Sequence, residues 1–349
     1  LKKKARSSER SERVGRMPEL RKDPVLGRWV IISTERSKRP KDFKFEPEKK
    51  NISPKECPFC PDNEAATPPE IFAYRKKDTA PNSPGWTLRV IPNKFPALRI
   101  EGDISRRGEG IYDRMNGIGA HEVIIETPDH SQDLADLEPE DFENVIRAYQ
   151  QRSCDLKKDP RLRYVMIFKN FGAIAGASLE HSHSQLIATP IVPKRVMEEM
   201  DGARRYYEYR ERCIFCDIVV QETKSRKRLI IENNSFILIC PFAPRFPFET
   251  WILPRRHISN FEDSTTEELR DLAAILKECL IRQKKALNTP PYNFIIHTTP
   301  ITLKGIDFYH YHLEVIPVLT RIAGFEWGTG FYINPTAPEE SASYLKNII

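Results

Sequence analysis

The order Cys-x-Phe-Cys, then a distant His, then His-x-His occurs twice in this chain. The first copy runs Cys57-Pro-Phe-Cys60, His121, His181-Ser182-His183, and the second runs Cys213-Ile-Phe-Cys216, His257, His310-Tyr-His312. A repeated ligand set constrains folding strongly, because each copy must bring residues tens of positions apart to one point. The spacings differ between copies, as loop insertions allow.

The apolar periodicity repeats with the motifs. In the first half strands are expected at Leu88–Ile91, Glu122–Glu126, Tyr164–Lys169 and His181–Ala188, with a helix from Glu140 to Lys157 behind Pro139. In the second half strands are expected at Leu229–Glu232, Phe236–Cys240, Thr250–Leu253, Asn293–His297 and His310–Val318. A helix from Glu267 to Leu287 opens on a Thr265-x-x-Glu268 capping box. Each half is thus strands, one long helix and two further strands. The expected class is α+β, with two tandem units over 17–195 and 196–349, each a mostly antiparallel sheet with a long helix. The stretch Pro190–Arg212 reads as a helix-rich connection.

Composition narrows the class. With 40% hydrophobic and 30% charged residues in 349, the chain reads as a globular protein with a sizeable core. Residues 1–16 are basic and Ser-rich without apolar period, which reads as a disordered tail; Met17 is a candidate start. That tail has no apolar h-region, and Glu9 and Glu12 argue against a transit peptide. No run of about eighteen apolar residues is present, so no membrane span is expected. The net charge of +6 is scattered or sits in the tail, which argues against a zinc-ribbon nucleic-acid-binding protein despite the two CxxC pairs. Seven cysteines make no disulfide framework, and metal binding in a reducing cytoplasm suits the two pairs better. Cys154, Cys240 and Cys279 read as buried thiols.

Two thiolates with two imidazoles form a closed tetrahedral set suited to structural zinc. The expectation is two zincs per chain. One is held by Cys57, Cys60, His121 and His181, the other by Cys213, Cys216, His257 and His310. A redox role for CxxC needs a βαβ context, which is absent here. His130 and His297 are left with ordinary structural roles.

Alternation along His181-Ser-His183-Ser-Gln185 puts His181, His183 and Gln185 on one face of an extended strand. With His181 on zinc, His183 is free. A neutral imidazole whose other nitrogen donates to a carbonyl is a nucleophile toward phosphorus. Gln185 can donate to a phosphate oxygen in the transition state. Upstream, Asn170-Phe-Gly172-Ala-Ile-Ala-Gly176-Ala-Ser178 supplies two glycines and a serine where backbone N–H groups can approach phosphate. In the second half, His310-Tyr-His312-Leu-Glu314 lacks the glutamine, so that half is expected to be structural.

The segment FKNFGAIAGASLEHSHSQ, with Cys57-x-x-Cys60 and His121-Glu-Val-Ile-Ile-Glu126, resembles the galactose-1-phosphate uridylyltransferase family, a branch of the histidine-triad fold with two histidine-triad-like halves. The resemblance implies His183 as nucleophile and Cys57, Cys60, His121 and His181 as zinc ligands. It implies nucleotide or phosphate contacts at Arg36, Arg39, Asn93, Asn170, Gly176, Ser178 and Gln185, hexose-side contacts at Phe325 and Glu326, and a homodimer. Histidine-triad hydrolases usually carry a third histidine where Gln185 stands, so the amide points to a transferase. The implied reaction moves a nucleoside monophosphate between a nucleotide sugar and a hexose 1-phosphate, with UDP-glucose and galactose 1-phosphate as the default pair. The serines of the motif and the second CxxC resemble the plant-type ADP-glucose phosphorylase branch, which makes ADP-glucose and inorganic phosphate the alternative.

Overall fold

A computed structural model of the chain describes residues 17–33, 43 and 52–348; Arg36 and Arg39 lie outside the described residues. Its centre is a ten-stranded sheet in the order β10-β11-β12-β14-β13-β8-β9-β7-β4-β3. The first-half strands are β3 (Phe72–Arg75), β4 (Trp86–Pro92), β7 (Ala120–Ile125), β8 (Tyr164–Phe171) and β9 (His183–Thr189). The second-half strands are β10 (Leu229–Glu232), β11 (Phe236–Ile239), β12 (Thr250–Pro254), β13 (Tyr292–His297) and β14 (His312–Pro317). Read outward from the middle, the first half runs β8-β9-β7-β4-β3 and the second β13-β14-β12-β11-β10, so the two units have the same strand order. They join where β8 pairs antiparallel with β13, Phe171 opposite Tyr292 and Ile167 opposite Ile296. Every pairing within this sheet is antiparallel, as the α+β expectation required.

Period-two alternation sorts the side chains. One face carries Val165, Ile167, Leu186, Ala188, Phe294, Ile296, Leu313 and Val315, all buried in a single apolar cluster. Helices α1 (Pro139–Leu156) and α4 (Thr266–Leu287) cover that face with Phe142, Val145, Ile146, Leu272, Leu276 and Leu280. Both helices start as their sequences dictate: Pro139 occupies the first turn of α1, and Thr265 with Glu268 closes the capping box of α4. Arg152 of α1 reaches the sheet and grips Glu122 of β7 with two hydrogen bonds of 2.7 and 2.8 Å. The observed ends of the repeated elements lie within two residues of the expected ones. One shift matters: β9 begins at His183, so His181 is not on the strand but on the bend before it.

The opposite face carries the cysteine clusters. In the first half it is overlaid by the Cys57–Cys60 loop, with Phe59 packed against Ile91, Val123 and Ile125. In the second half it is overlaid by α2 (Lys194–Arg210) and α3 (Ile214–Ser225). The expected helix-rich connection is thus α2. β1 (Glu19–Lys22), β2 (Trp29–Ile32) and β15 (Tyr332–Asn334) form a separate small sheet, and β5 (Arg107–Glu109) pairs with β6 (Tyr112–Arg114) as a hairpin. Among the described residues no helix is long and apolar enough to cross a membrane.

Helix α2 lies so close to the N-terminal segment that a Cβ on Gly202 would come within 1.9 Å of the Val25 carbonyl oxygen. Backbone cannot yield as a side-chain tip can. Gly202→Ala should therefore lower stability by about 1–3 kcal/mol, read as a fall in the urea midpoint, while an exposed control such as Met197→Ala on the same helix should not.

Candidate active site and metal-ligand clusters

His130, not His121, completes the first cysteine cluster. Cys57, Cys60, His130 and His181 present ligand atoms all within 4.8 Å of one another, and Cys213, Cys216, His257 and His310 do the same. The structure brings the expected second set together; in the first it brings His130, and not His121, to the sulfurs. The reason lies in the topology. His257 follows β12 in a loop, and the equivalent loop after β7 carries His130, whereas His121 is inside β7 itself.

The ring orientations suit ion binding. His181 turns Nδ1 to the sulfurs of Cys57 (3.6 Å) and Cys60 (3.4 Å), and its Nε2–H donates to the Thr127 carbonyl at 2.7 Å. His310 turns Nδ1 to Cys216 at 3.6 Å and donates Nε2–H to the Pro254 carbonyl at 2.9 Å. His130 and His257 each bring Nδ1 within 3.3 Å of a cysteine sulfur, and the Ile306 carbonyl fixes His257 from behind at 3.0 Å. A backbone acceptor on one ring nitrogen leaves the other lone pair aimed at the cluster, which is how metal-ligating histidines are held. All four thiols are free. Burial, then the neighbouring Cys57, pushes the Cys60 thiol up to about 12. Hydrogen bonding from Cys213 holds Cys216 down to about 3, with His257 and His310 adding to it. An ion entering such a pair displaces the remaining thiol proton.

At the start of β9, His183 is buried, and its Nδ1–H donates to the His181 carbonyl at 2.8 Å. That leaves Nε2 with its lone pair. Burial, then the Lys169 charge, lowers the His183 pKa, which favours the neutral ring. Phe59 packs edge-on against it, ring centres 5.3 Å apart. Gln185 lies two residues on, on the same face, with its Oε1 2.8 Å from His121 Nε2. Asn93 and the Ala97 N–H also approach the His121 ring, both at 3.1 Å. His121, Asn93 and Gln185 are therefore brought together. A cavity of about 1020 Å³ opens beside Asn93 and His121 and is rimmed by Lys94, Arg99 and Arg161.

The loop from β8 to β9 also closes on itself. Asn170 accepts from the Asn293 amide at 2.8 Å, and that same amide donates to the Ala175 carbonyl at 2.8 Å. Gly172 and Gly176 both have positive φ, 84° and 92°, which explains the two glycines in this short turn. Ser178 is exposed on this loop. Phe325 and Glu326 lie on α5 (Gly324–Thr329); Phe325 is exposed, and the Glu326 carboxylate accepts from the Ala323 N–H at its own helix start, so their described contacts are local to that helix.

Beneath His183 lies a polar network that residue spacing does not reveal. Lys169 donates to Glu126 (2.6 Å), Ser182 (3.1 Å) and the His183 carbonyl (2.9 Å), using all three ammonium protons. Glu126 also accepts from Ser182, Ser184 and Tyr149. Burial would raise the Glu126 pKa, but Lys169 and these hydrogen bonds outweigh it and hold the carboxyl below its ordinary value. Both serines of the motif thus point away from the site and fasten the strand from behind. The signal was present: a charged residue at the end of one apolar strand and another inside the next.

The second half keeps the backbone pattern but closes the site. His312 Nδ1–H donates to the His310 carbonyl at 3.2 Å, as His183 does to His181. Its Nε2, however, faces Glu199 of α2 at 3.5 Å, and its ring is stacked between Phe215 and His297. Glu314 replaces the glutamine and pairs with Arg245. Burial would lower the His297 pKa, but Glu199 and Glu314 raise it to about 10. His297 therefore has a part in an ion cluster rather than an incidental place in the core.

Comparison with known proteins agrees with this geometry. The family model for the galactose-1-phosphate uridyl transferase N-terminal domain matches residues 9–193, and a model for a domain of unknown function matches 118–347. An ADP-glucose phosphorylase of Arabidopsis thaliana is 41% identical, covering 95% of this chain and 93% of that one. A galactose-1-phosphate uridylyltransferase of Thermotoga maritima is 30% identical, covering 95% and 98%. The crystal structure of an Arabidopsis thaliana ADP-glucose phosphorylase with bound ADP-glucose superposes with a TM-score of 0.80 at 38% identity, covering 95% of this chain and all of that one. These relatives and the matched family model define the chain as a nucleotidyltransferase. The chain belongs to the galactose-1-phosphate uridylyltransferase family.

Three outcomes follow from this geometry. His130→Ala should lower bound metal by about one ion per chain and His121→Ala should not, as read by elemental analysis. Lys169→Met leaves the Glu126 carboxylate buried and unpaired and should cost about 3–5 kcal/mol in denaturant unfolding. Because the folded-state pKa of His297 is raised, its contribution is full below the ordinary value of 6.5 and is lost as pH rises toward about 10. The melting temperature should fall over that window in the wild type and less steeply in His297→Gln.

Proposed function

We propose that this protein is an ADP-glucose phosphorylase, which transfers the adenylyl group of ADP-glucose to inorganic phosphate. The observation that carries the transfer chemistry is the tautomer of His183: Nδ1–H is tied to the His181 carbonyl at 2.8 Å, so Nε2 is the nucleophile. Nε2 attacks the α-phosphorus. The bond from that phosphorus to the bridging oxygen breaks, and glucose 1-phosphate leaves as an anion that needs no proton. An oxygen of inorganic phosphate then attacks the same phosphorus and displaces the imidazole, giving ADP. The Gln185 amide donates to a non-bridging oxygen of the α-phosphoryl group, a contact of most value when charge builds there.

The choice of adenosine over uridine rests on the 41% identity to the Arabidopsis thaliana ADP-glucose phosphorylase, against 30% for the Thermotoga maritima uridylyltransferase, both over 95% of this chain. The expectation of UDP-glucose and galactose 1-phosphate as the default pair thereby gives way to its alternative. UDP-glucose with a hexose 1-phosphate remains the second reading, supported by the matched N-terminal family model. We read the two cysteine clusters as structural zinc sites, since each offers two sulfurs and two imidazoles and no ligand position for water. Zinc there would fix the bend that carries His181. We also propose that the protein works as a homodimer in the cytoplasm.

Incubation with α-labelled ADP-glucose and, separately, α-labelled UDP-glucose tests the reading. Label should stay on the protein from ADP-glucose and be released as ADP on adding phosphate. Retention from UDP-glucose alone would refute the adenylyl assignment. His183→Asn should take no label while keeping its fold and metal content; turnover by that variant would remove His183 as nucleophile.

A further inference from the structure

The ring of His121 stands between a donor that cannot turn and an amide that can. Its Nδ1 accepts from the backbone N–H of Ala97 at 3.1 Å. A backbone N–H has no alternative orientation, so Nδ1 bears the lone pair and the neutral ring carries its proton on Nε2. That Nε2 lies 2.8 Å from the Gln185 side-chain oxygen. The Asn93 amide nitrogen, 3.1 Å from the same Nε2, would call for the opposite tautomer, but the Ala97 N–H decides between them. With Nε2–H donating to Oε1, the Gln185 amide is locked with its NH₂ end turned away from His121.

The register fixes this contact. His121 faces Ile187 and Val123 faces Gln185 across β7 and β9, so His121 lies diagonally across from Gln185 on the face that also bears His183. Both residues are partly buried, so solvent competes weakly for the bond.

We propose that His121 is a positioning residue that sets which end of the Gln185 amide meets the transferring phosphoryl group. An amide presents a donor or an acceptor at nearly the same place, and only the donor end helps an anionic phosphate. The Ala97 N–H, through the His121 ring, selects the donor end before substrate arrives. This rests on the nucleotidyl-transfer reading above, in which Gln185 faces the phosphate.

The test is a double-mutant cycle in the full-length enzyme: wild type, His121→Ala, Gln185→Ala and the pair. It is followed by single-turnover labelling of His183 from α-labelled ADP-glucose and by steady-state phosphorolysis. His121→Ala should lower the labelling rate and kcat about tenfold, less than loss of the donor itself, with KM for ADP-glucose unchanged. In the Gln185→Ala background the same change should have little further effect, because nothing is left to orient. His121→Gln, whose amide N–H can take the place of Nε2–H, should recover part of the rate. His121→Phe keeps the ring volume without the donor and replaces the alanine variant in the cycle if that variant does not fold. Equal rate factors in both Gln185 backgrounds, or a rise in KM with kcat unchanged, would overturn the positioning role alone. A wild-type enzyme that takes no label from either nucleotide sugar would overturn the transfer reading and this proposal with it.

Discussion

The antiparallel pairing of Tyr292–Ile296 with Ile167–Phe171 turns two half-sheets into one. Because β8 and β13 are equivalent strands running in opposite directions, joining them relates the halves by a pseudo-twofold across the sheet. Both long helices must then fall on one face and both His-x-His segments on the other. The single apolar cluster under α1 and α4 crosses this junction, so neither half buries its helix alone. The separation of a packed face from a chemical face follows from that one strand pair.

The two halves show what differs between an open and a closed copy of the same scaffold. Each has a histidine tied by Nδ1 to the carbonyl two residues before it. In the first half a small loop with Phe59 borders the ring edge-on. In the second, helix α2 supplies Glu199 to Nε2, and Phe215 and His297 sandwich the ring. A carboxylate beside Nε2 would also repel a phosphate. The second site is covered by what packs on the strand, with the strand itself nearly unchanged.

Much of this was legible because ligand order, strand order and helix caps repeat together. The strands and both long helices lie within a few residues of their expected places, and the hydrogen bond of His183 follows from the spacing of His181 and His183. His121 was misplaced because residue order alone cannot tell a histidine in a strand from one in the loop that follows. Matching each histidine to the end of its strand, as His257 matches β12, selects His130. His181 was drawn onto the strand by alternation, although its ring had to turn aside to the cysteines. The Glu126–Lys169 network was hidden because its partners come from two strands, the segments flanking two strands and a helix, and spacing says nothing about which polar residues meet in the interior.

His181 serves two groups at once. Its ring leans into the sulfur cluster, and its carbonyl holds the Nδ1–H of His183. Any disturbance of the cluster is thus transmitted through one residue's backbone to the tautomer of His183. An enzyme so built would lose activity on chelation although the ion never approached a phosphate. Inactivation would keep pace with the slow loosening of a bend, so a metal requirement here would measure mechanical support and give no information on the chemistry of transfer.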